Sequence, residues 1–331
     1  VMRNKRHMNL NLATEGGKEV FFKLAKNADV ILEGFRPGVV KRLGISYEDV
    51  KEVNPGIIYC SISGYGQDGP YCMMAGHDVN YLSFGGLLGL CGESEDRPPV
   101  IPPVQIADIA AGGMMAAIAI LTAVIYRNRT GEGQYIDISM TDGIVSMLVV
   151  PFSLFFMDSV KLKRGKLPLS GGYPCYNVYK TKDGKYISLG AVELRFWKNI
   201  CEKLGRPEYV EHQYDDSKKR EIFQWLQGVF ITKTRDEWME FFKNEDVCFG
   251  KVLSFEELWA DPNVVQRGML THVEHHVKGK IPLIANPIKM SRTPPVIRRP
   301  PADFGEHTEE VLKELGYSDD DIESLRGEGA I

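Results

Sequence analysis

The chain has 331 residues, 44% hydrophobic and 25% charged, with a formal net charge of −4. That length is more than one hydrophobic core fills, so two domains are expected, of ordinary globular composition. The acidic balance leaves no basic footprint for nucleic acid.

Six cysteines, at positions 60, 72, 91, 175, 201 and 248, stand singly with no CxxC pair. Neither a zinc knuckle nor a thioredoxin-like motif is supported, and a reducing cytoplasm is the expected setting. The chain opens at Val1-Met2-Arg3 and runs straight into strand-like residues, without a signal peptide. We read this abrupt start as the loss of a natural N-terminus.

In chain order, His7 to Leu12 reads as a strand, and Thr14 to Lys26 as a helix capped by Thr14. Ala28 to Glu33 reads as a buried strand, and Pro37 to Leu43 starts another helix. Ser46 to Val53 carries a capping-box pattern, and Ile57 to Ile62 is a third strand. Strands alternating with helices predict a parallel sheet with right-handed crossovers. After a Gly-rich stretch (85–92) and a Pro-rich loop (98–103), a helix runs from Asp108 to about Arg127 and ends at Gly131. Its apolar run, Ile109 to Tyr126, is rich in Ala and Gly, so a buried helix is expected rather than a membrane span.

Tyr135 to Ser139 is a strand, and Thr141 to about Met157 a second apolar helix. Beyond Gly171-Gly172, Tyr176 to Leu189 reads as a hairpin around Asp183-Gly184. Helical segments follow near Arg195–Leu204, Lys218–Val229 and Arg235–Lys243, then antiparallel strands within His272–Ile288. Pro294 to Pro301 is a linker, and Glu306–Leu315 and Asp319–Leu325 are short tail helices. The expected fold class is α/β: a Rossmann-like parallel-sheet large domain (1–175), a smaller α+β domain (176–290), and a linker with C-terminal helices (291–331) returning to the large domain.

Three acid–base candidates sit at element ends among small neighbours: His77 in Gly76-His77-Asp78, Asp108 at the start of the long helix, and Glu193 after Gly190-Ala191-Val192. Each has a plainer role as loop histidine, N-cap or solvated carboxylate. Gly64-Tyr65-Gly66-Gln67-Asp68-Gly69 matches a dinucleotide fingerprint, but Pro70 follows at once and no helical period begins there, so a local Gly-rich turn is the better account. His272, Glu274 and His276 share one strand face without a further ligand cluster, which favours a solvated face over a metal site. Phe35-Arg36-Pro37-Gly38, with Arg42 one turn on, lies where a strand end meets a helix start, a natural phosphate position.

Taken together, the chain resembles the family III CoA-transferases (the CaiB/BaiF group), and within it the 2-methylacyl-CoA racemases. The resemblance is carried by Met2-Arg3-Asn4-Lys5-Arg6, Glu33-Gly34-Phe35-Arg36-Pro37-Gly38-Val39, Ser63-Gly64-Tyr65-Gly66-Gln67 and Gly76-His77-Asp78-Val79-Asn80-Tyr81. It continues in Arg129-Thr130-Gly131-Glu132-Gly133-Gln134, Gly171-Gly172-Tyr173-Pro174, Gly190-Ala191-Val192-Glu193 and Gly305-Glu306-His307-Thr308. It implies an interlocked homodimer, with CoA on the large domain and the partner's small domain closing the site. The family's first strand–helix unit would precede Val1.

The implied CoA contacts are Leu10, Asn11, Leu12 and Ala13, then Phe35, Arg36 and Arg42, then Gly76, Asp78, Val79, Asn80 and Tyr81. The substrate would be an acyl-CoA thioester, with no permanently bound cofactor, no metal and no membrane partner. Racemases of the group carry His in the Gly-His-Asp string and Glu after Gly-Ala-x, and this chain has both. It departs in Leu194, where they usually have Pro, and Tyr173, where they have Ala, and its tail is closer to the transferases.

Racemisation needs an acid and a base on opposite sides of the carbon next to the thioester. His77 and Asp108 would serve the two faces, and Glu193 would hold the His77 tautomer. Main-chain amides near the Asp108 helix start would meet the enolate oxygen. Met114, Met115, Met140 and Met147 would offer an adaptable surface to the acyl tail. In the transferase alternative, Asp108 is instead a nucleophile forming a mixed anhydride.

Overall fold

A computed structural model of the chain describes residues 3–158 and 161–331; Val1 and Met2 of the opening string lie outside the described residues. The chain divides into two compact units. The first comprises residues 1–81, 107–143 and 255–331, and the second residues 82–106 and 144–254.

The first unit is built on a parallel sheet of β1 (Val30–Glu33), β2 (Ile58–Ser63) and β3 (Gln134–Ser139), in the order β1-β2-β3. β2 lies in the middle and is buried almost throughout, which is why Ile58-Tyr59-Cys60 reads as an unbroken apolar run. β1 was expected to be buried but is an edge strand, so Leu32 is more than half exposed. Helix Glu15–Lys26 is capped as expected, with Thr14 Oγ accepting from the Gly17 amide at 3.1 Å. Ser46 and Asp49 close a capping box ahead of helix Tyr47–Lys51.

The long apolar helix spans Ala107–Thr130 and ends at Gly131 in the left-handed region. Its first two turns, Ala107–Met114, are a π-helix, and Met115–Thr130 is α. Its small residues Ala107, Ala111, Gly112, Ala116 and Ala123 are buried, since Ala and Gly let a helix approach closely. The opposite side is not buried as expected. Met114, Ile118, Leu121 and Ile125 recur at heptad-like spacing and are each more than half exposed. The helix is long and apolar enough to cross a membrane, and only 22% of its most apolar stretch is buried.

The second unit holds the antiparallel sheet of β4 (Tyr176–Lys180), β5 (Tyr186–Gly190) and β6 (Phe249–Lys251). The Asp183-Gly184 turn joins β4 to β5, with Gly184 at φ 75°. Helices Leu194–Lys203, Lys219–Phe230 and Arg235–Phe241 pack against the sheet around Trp197, Ile200, Leu226, Phe230 and Trp238. Trp197 and Trp238 are buried without an orphaned donor, because each indole N–H reaches a main-chain carbonyl, of Tyr209 and Phe230 respectively.

The single helix expected over 141–157 is two, Met140–Met147 and Val149–Phe156. Pro151 has no amide to give to residue 147, so the helix restarts with the proline in a first turn. The expected boundary at 175 also differs from the observed grouping. Residues 82–106 and 144–175 belong with the second unit, and 255–290 with the first. Arg164 illustrates the reason, as its guanidinium donates to the Gly89 carbonyl at 3.1 Å.

The first unit is completed by a hairpin, β7 (Leu270–His275) and β8 (Gly279–Ile284), and by the tail helices Thr308–Glu314 and Asp319–Gly327. Residues 7–12, expected as a strand, pair with no strand. Their hydrogen bonds go to the tail instead: Asn11 N–H donates to the Ala330 carbonyl at 2.7 Å, and the His7 carbonyl accepts from the His307 amide at 2.9 Å. Met8 and Leu10 join Val20, Leu312, Ile322 and Leu325 in one apolar cluster. All six cysteines are free thiols.

At Gly143 the helix after β3 crosses the π-helix so closely that an added Cβ would lie 2.5 Å from Ala111 Cβ and 2.8 Å from its Cα. Gly143→Ala is therefore expected to cost about 1–3 kcal/mol in urea unfolding. Gly113→Ala, which meets nothing closer than the Asp108 carbonyl at 3.5 Å, should leave stability at or above the parent's.

Candidate active site

The site begins where β2 ends. Tyr81 is buried, and its ring lies so close to the main chain that a Cβ on Gly64 would fall 2.2 Å from Cε1, and one on Gly76 2.7 Å away. The Tyr81 hydroxyl donates to the Gly76 carbonyl at 2.5 Å, and its ring meets Tyr65 edge-on at 5.2 Å. These contacts explain the Gly-rich string after β2. Gly64 admits a tyrosine, Gly66 and Gly69 turn the chain at positive φ, and no helix starts there to face a pyrophosphate.

Pinned this way, residues 77–81 enter helix Asp78–Phe84. The His77 amide donates to Asn80 Oδ1 at 3.1 Å while the His77 carbonyl accepts from the Asn80 amide at 2.8 Å, a reciprocal cap that leaves the imidazole exposed. Asp78 is buried, and its Oδ1 accepts the main-chain amide of Asp108 at 3.0 Å. His77 and Asp108 are thus brought together around Asp78 at the C-terminal ends of parallel strands, the usual ligand position in such sheets. Sequence reasoning placed Asp78 among CoA contacts and missed this bond. No sequence signal marks it, since the partners are thirty residues apart.

Asp108 holds its proton more tightly than an ordinary aspartate. Burial is the larger cause and the Asp78 charge the next, with His77 pulling the other way. The bond to Asp78 also changes one expectation. The Asp108 amide, at the helix start assigned to the enolate oxygen, already has an acceptor.

Glu193 belongs to the second unit. It is exposed and precedes helix Leu194–Lys203, whose Phe196 amide bonds its carbonyl at 3.0 Å. Two residues that sequence reasoning missed brace this turn. The buried Gln213 amide donates to the Ala191 and Val192 carbonyls at 2.8 Å, and the Tyr214 hydroxyl donates to Val192 at 3.0 Å. The Tyr214 phenol is pushed up to about 12, first by burial, then by Cys175, with Glu193 adding to it.

Among the CoA candidates, Arg36 lies near enough to oppose the upward shift of the Tyr81 phenol, which burial, Tyr65 and Asp108 produce. Phe35 is exposed on the same strand-to-helix connection, and Arg42 is exposed in the short helix that follows it. The helix expected there is only Val39–Leu43, too short to act as a dipole, so any phosphate contact rests on the guanidinium groups. Leu10 to Ala13 form the turn before helix Glu15–Lys26. Asn11 Nδ2 donates to the Gly329 carbonyl at 3.0 Å, and Asn11 Oδ1 accepts from Ala13 at 3.1 Å. Val79 and Asn80 occupy the first turn of helix Asp78–Phe84. Met140 packs on Gly112, whereas Met114 lies on the exposed stripe. His272 and Glu274 are exposed on β7, and His275 is buried at its end. The exposed His276, one residue beyond the strand, stacks its ring on that of His275 at 4.7 Å. Among the described residues no group of three or more His, Cys, Asp or Glu is arranged to hold a metal ion.

The model of CoA-transferase family III matches residues 1–308 of the chain. The chain belongs to this family. It is 37% identical over 339 residues to the alpha-methylacyl-CoA racemase of Homo sapiens, covering 99% of this chain and 85% of the relative. It is also 31% identical over 338 residues to the Homo sapiens succinyl-CoA:glutarate CoA-transferase, covering 100% of this chain and 76% of that one. Among solved structures, a CAIB/BAIF family protein from Brucella suis superposes with a TM-score of 0.78 at 29% identity, over 95% of this chain and 82% of that one. The mixed α/β architecture with a parallel sheet is that of this family.

The Asp108 shift has a measurable consequence for stability. A folded state that binds this proton more tightly than the unfolded chain loses stability as pH rises through the folded pKa, and loses none below the unfolded value near ~3.9. Asp108→Asn is therefore expected to melt above the parent at pH 7, by no more than about 1 kcal/mol for a carboxyl this open to solvent. The gap should narrow toward pH ~4 in thermal melts of the two proteins, as the parent's carboxyl becomes protonated.

Proposed function

We propose that this family III chain is an acyl-CoA racemase that exchanges the α-proton of 2-methyl-branched acyl-CoA thioesters by a two-base mechanism. The observation that carries the reading is the pairing of an exposed imidazole, His77, with a carboxyl of raised proton affinity, Asp108, in one cluster. The relative of highest identity quoted above, whose own name is alpha-methylacyl-CoA racemase, adds support.

The thioester carbonyl acidifies the neighbouring C–H. One of the two groups takes that proton to give an enolate, and the other returns a proton to the opposite face, with roles exchanged in the reverse direction. The raised Asp108 pKa suits a carboxyl that must give a proton as well as take one. Glu193 is assigned the orienting of His77. Arg36 and Arg42 are assigned the CoA phosphates.

A second reading draws on the same residue, because the exposed Asp108 carboxylate is also a nucleophile toward a thioester carbonyl. The acyl–sulfur bond would break, CoA thiolate would leave, and an aspartyl anhydride would form. The similarity to a succinyl-CoA:glutarate CoA-transferase keeps that alternative specific. In deuterated water, a racemase incorporates deuterium at the α-carbon of a 2-methylacyl-CoA without an acceptor acid. His77→Ala and Asp108→Ala are each expected to slow that exchange at least ~100-fold. Exchange unaffected by His77→Ala, together with a hydroxylamine-trappable acyl group on Asp108, would establish the transferase reading instead.

We further propose that two copies associate through the Met114, Ile118, Leu121 and Ile125 stripe, as an interlocked dimer in which the partner's second unit closes the site. An exposed stripe at heptad-like spacing on a long helix is what another helix buries. Leu121→Arg should convert a dimeric species to monomer in sedimentation velocity, and a parent protein that sediments as a monomer would refute the assembly.

A further inference from the structure

Asp78 turns away from solvent and onto the main chain. It is buried to 9% exposure at the first residue of helix Asp78–Phe84, and its Oδ1 takes the Asp108 amide. That amide lies in the first turn of the π-helix Ala107–Met114, where wide i→i+5 hydrogen bonds leave the entry to the helix poorly fixed by the helix itself. We infer that Asp78 is the positioning residue for Asp108: its carboxylate anchors the Asp108 main chain at the mouth of the π-helix and stands as a fixed negative charge beside the reacting carboxyl.

Two independent features meet at this residue. The hydrogen bond is an acceptor function that an amide or a carboxylate can supply. The charge is a function only the carboxylate has. The Asp78 charge raises the Asp108 pKa, after burial, which is the larger cause. The other groups facing Asp108 are His77, which opposes the shift, and Tyr81, whose phenol is in turn influenced by Tyr65 and Arg36. None of these bonds the Asp108 main chain. Among the described residues, Asp78 is the group that both bonds the Asp108 main chain and raises the proton affinity of its carboxyl.

The chemical use of this coupling rests on the racemase reading, in which Asp108 must be protonated for one direction of the reaction. The test therefore has one arm that needs no activity. Asp78→Asn keeps an acceptor for the Asp108 amide and removes the charge, whereas Asp78→Ala removes both. In carbon-detected NMR, the Asp108 carboxyl should titrate at lower pH in Asp78→Asn than in the parent, while its amide keeps its protection from hydrogen exchange. In Asp78→Ala that protection should be lost. In the α-deuterium assay, Asp78→Asn should move the Asp108 limb of the pH–rate profile downward. Asp78→Ala should lower kcat about tenfold to a hundredfold with KM little changed, the scale of a small misplacement of a reacting group.

An Asp108 titration unchanged in Asp78→Asn, or an Asp108 amide still protected in Asp78→Ala, would overturn the inference. Absence of α-exchange by the parent protein would defeat the racemase reading while leaving the two NMR outcomes to decide the role of Asp78.

Discussion

The close approach of the Tyr81 ring to Gly64 and Gly76 is the constraint on which the site depends. A side chain at either glycine would overlap the ring, so the end of β2 and the 76–81 segment meet only because both lack a Cβ. The phenol then closes a bond onto Gly76, which fixes the turn that presents His77 and Asp78. Asp78 in turn reaches the Asp108 amide. A steric fit between one aromatic ring and two bare backbone positions thus propagates to His77 and, through a single hydrogen bond, to Asp108, thirty residues beyond Asp78.

Much of this was legible in the sequence, and the exceptions have identifiable physical causes. Helix Glu15–Lys26, the capping box at Ser46 and the Asp183-Gly184 hairpin are set by local chemistry, and they fold where that chemistry places them. Residues 7–12 alternate like a strand, yet their backbone partners are in the tail, at Ala330 and His307, so pairing was decided by contacts some three hundred residues away. The break at Leu148 follows from Pro151, a local signal that the apolar pattern of the segment hid. Cysteine spacing and composition gave no hint of which segments group into which unit, because that grouping arises where the chain passes between units rather than at a change of texture.

The site shows the same division. His77, Asp108 and Glu193 stand out in the sequence by their small neighbours, and the resemblance to the family sharpened that reading. What could not be read was who holds them. Asp78 looks like one more polar residue of a helix start, and Gln213 and Tyr214 look like surface residues of a loop. Supporting hydrogen bonds of this kind cross from one element to another, so neither periodicity nor spacing encodes them.

The π-helix at Ala107–Met114 carries a further meaning. A turn closed over five residues instead of four amounts to one surplus residue within an otherwise regular rod, and the remainder of the rod from Met115 onward is regular. Deleting that residue would let the rod wind evenly, and because a π-turn takes up its extra residue within the widened turn, the parts on either side would keep nearly the same relative orientation. The surplus residue therefore widens the turn that carries Asp108 without turning the apolar stripe further along the same rod. A chain of one fewer residue in this stretch would keep the direction of its stripe and lose the widened turn that carries the Asp108 amide.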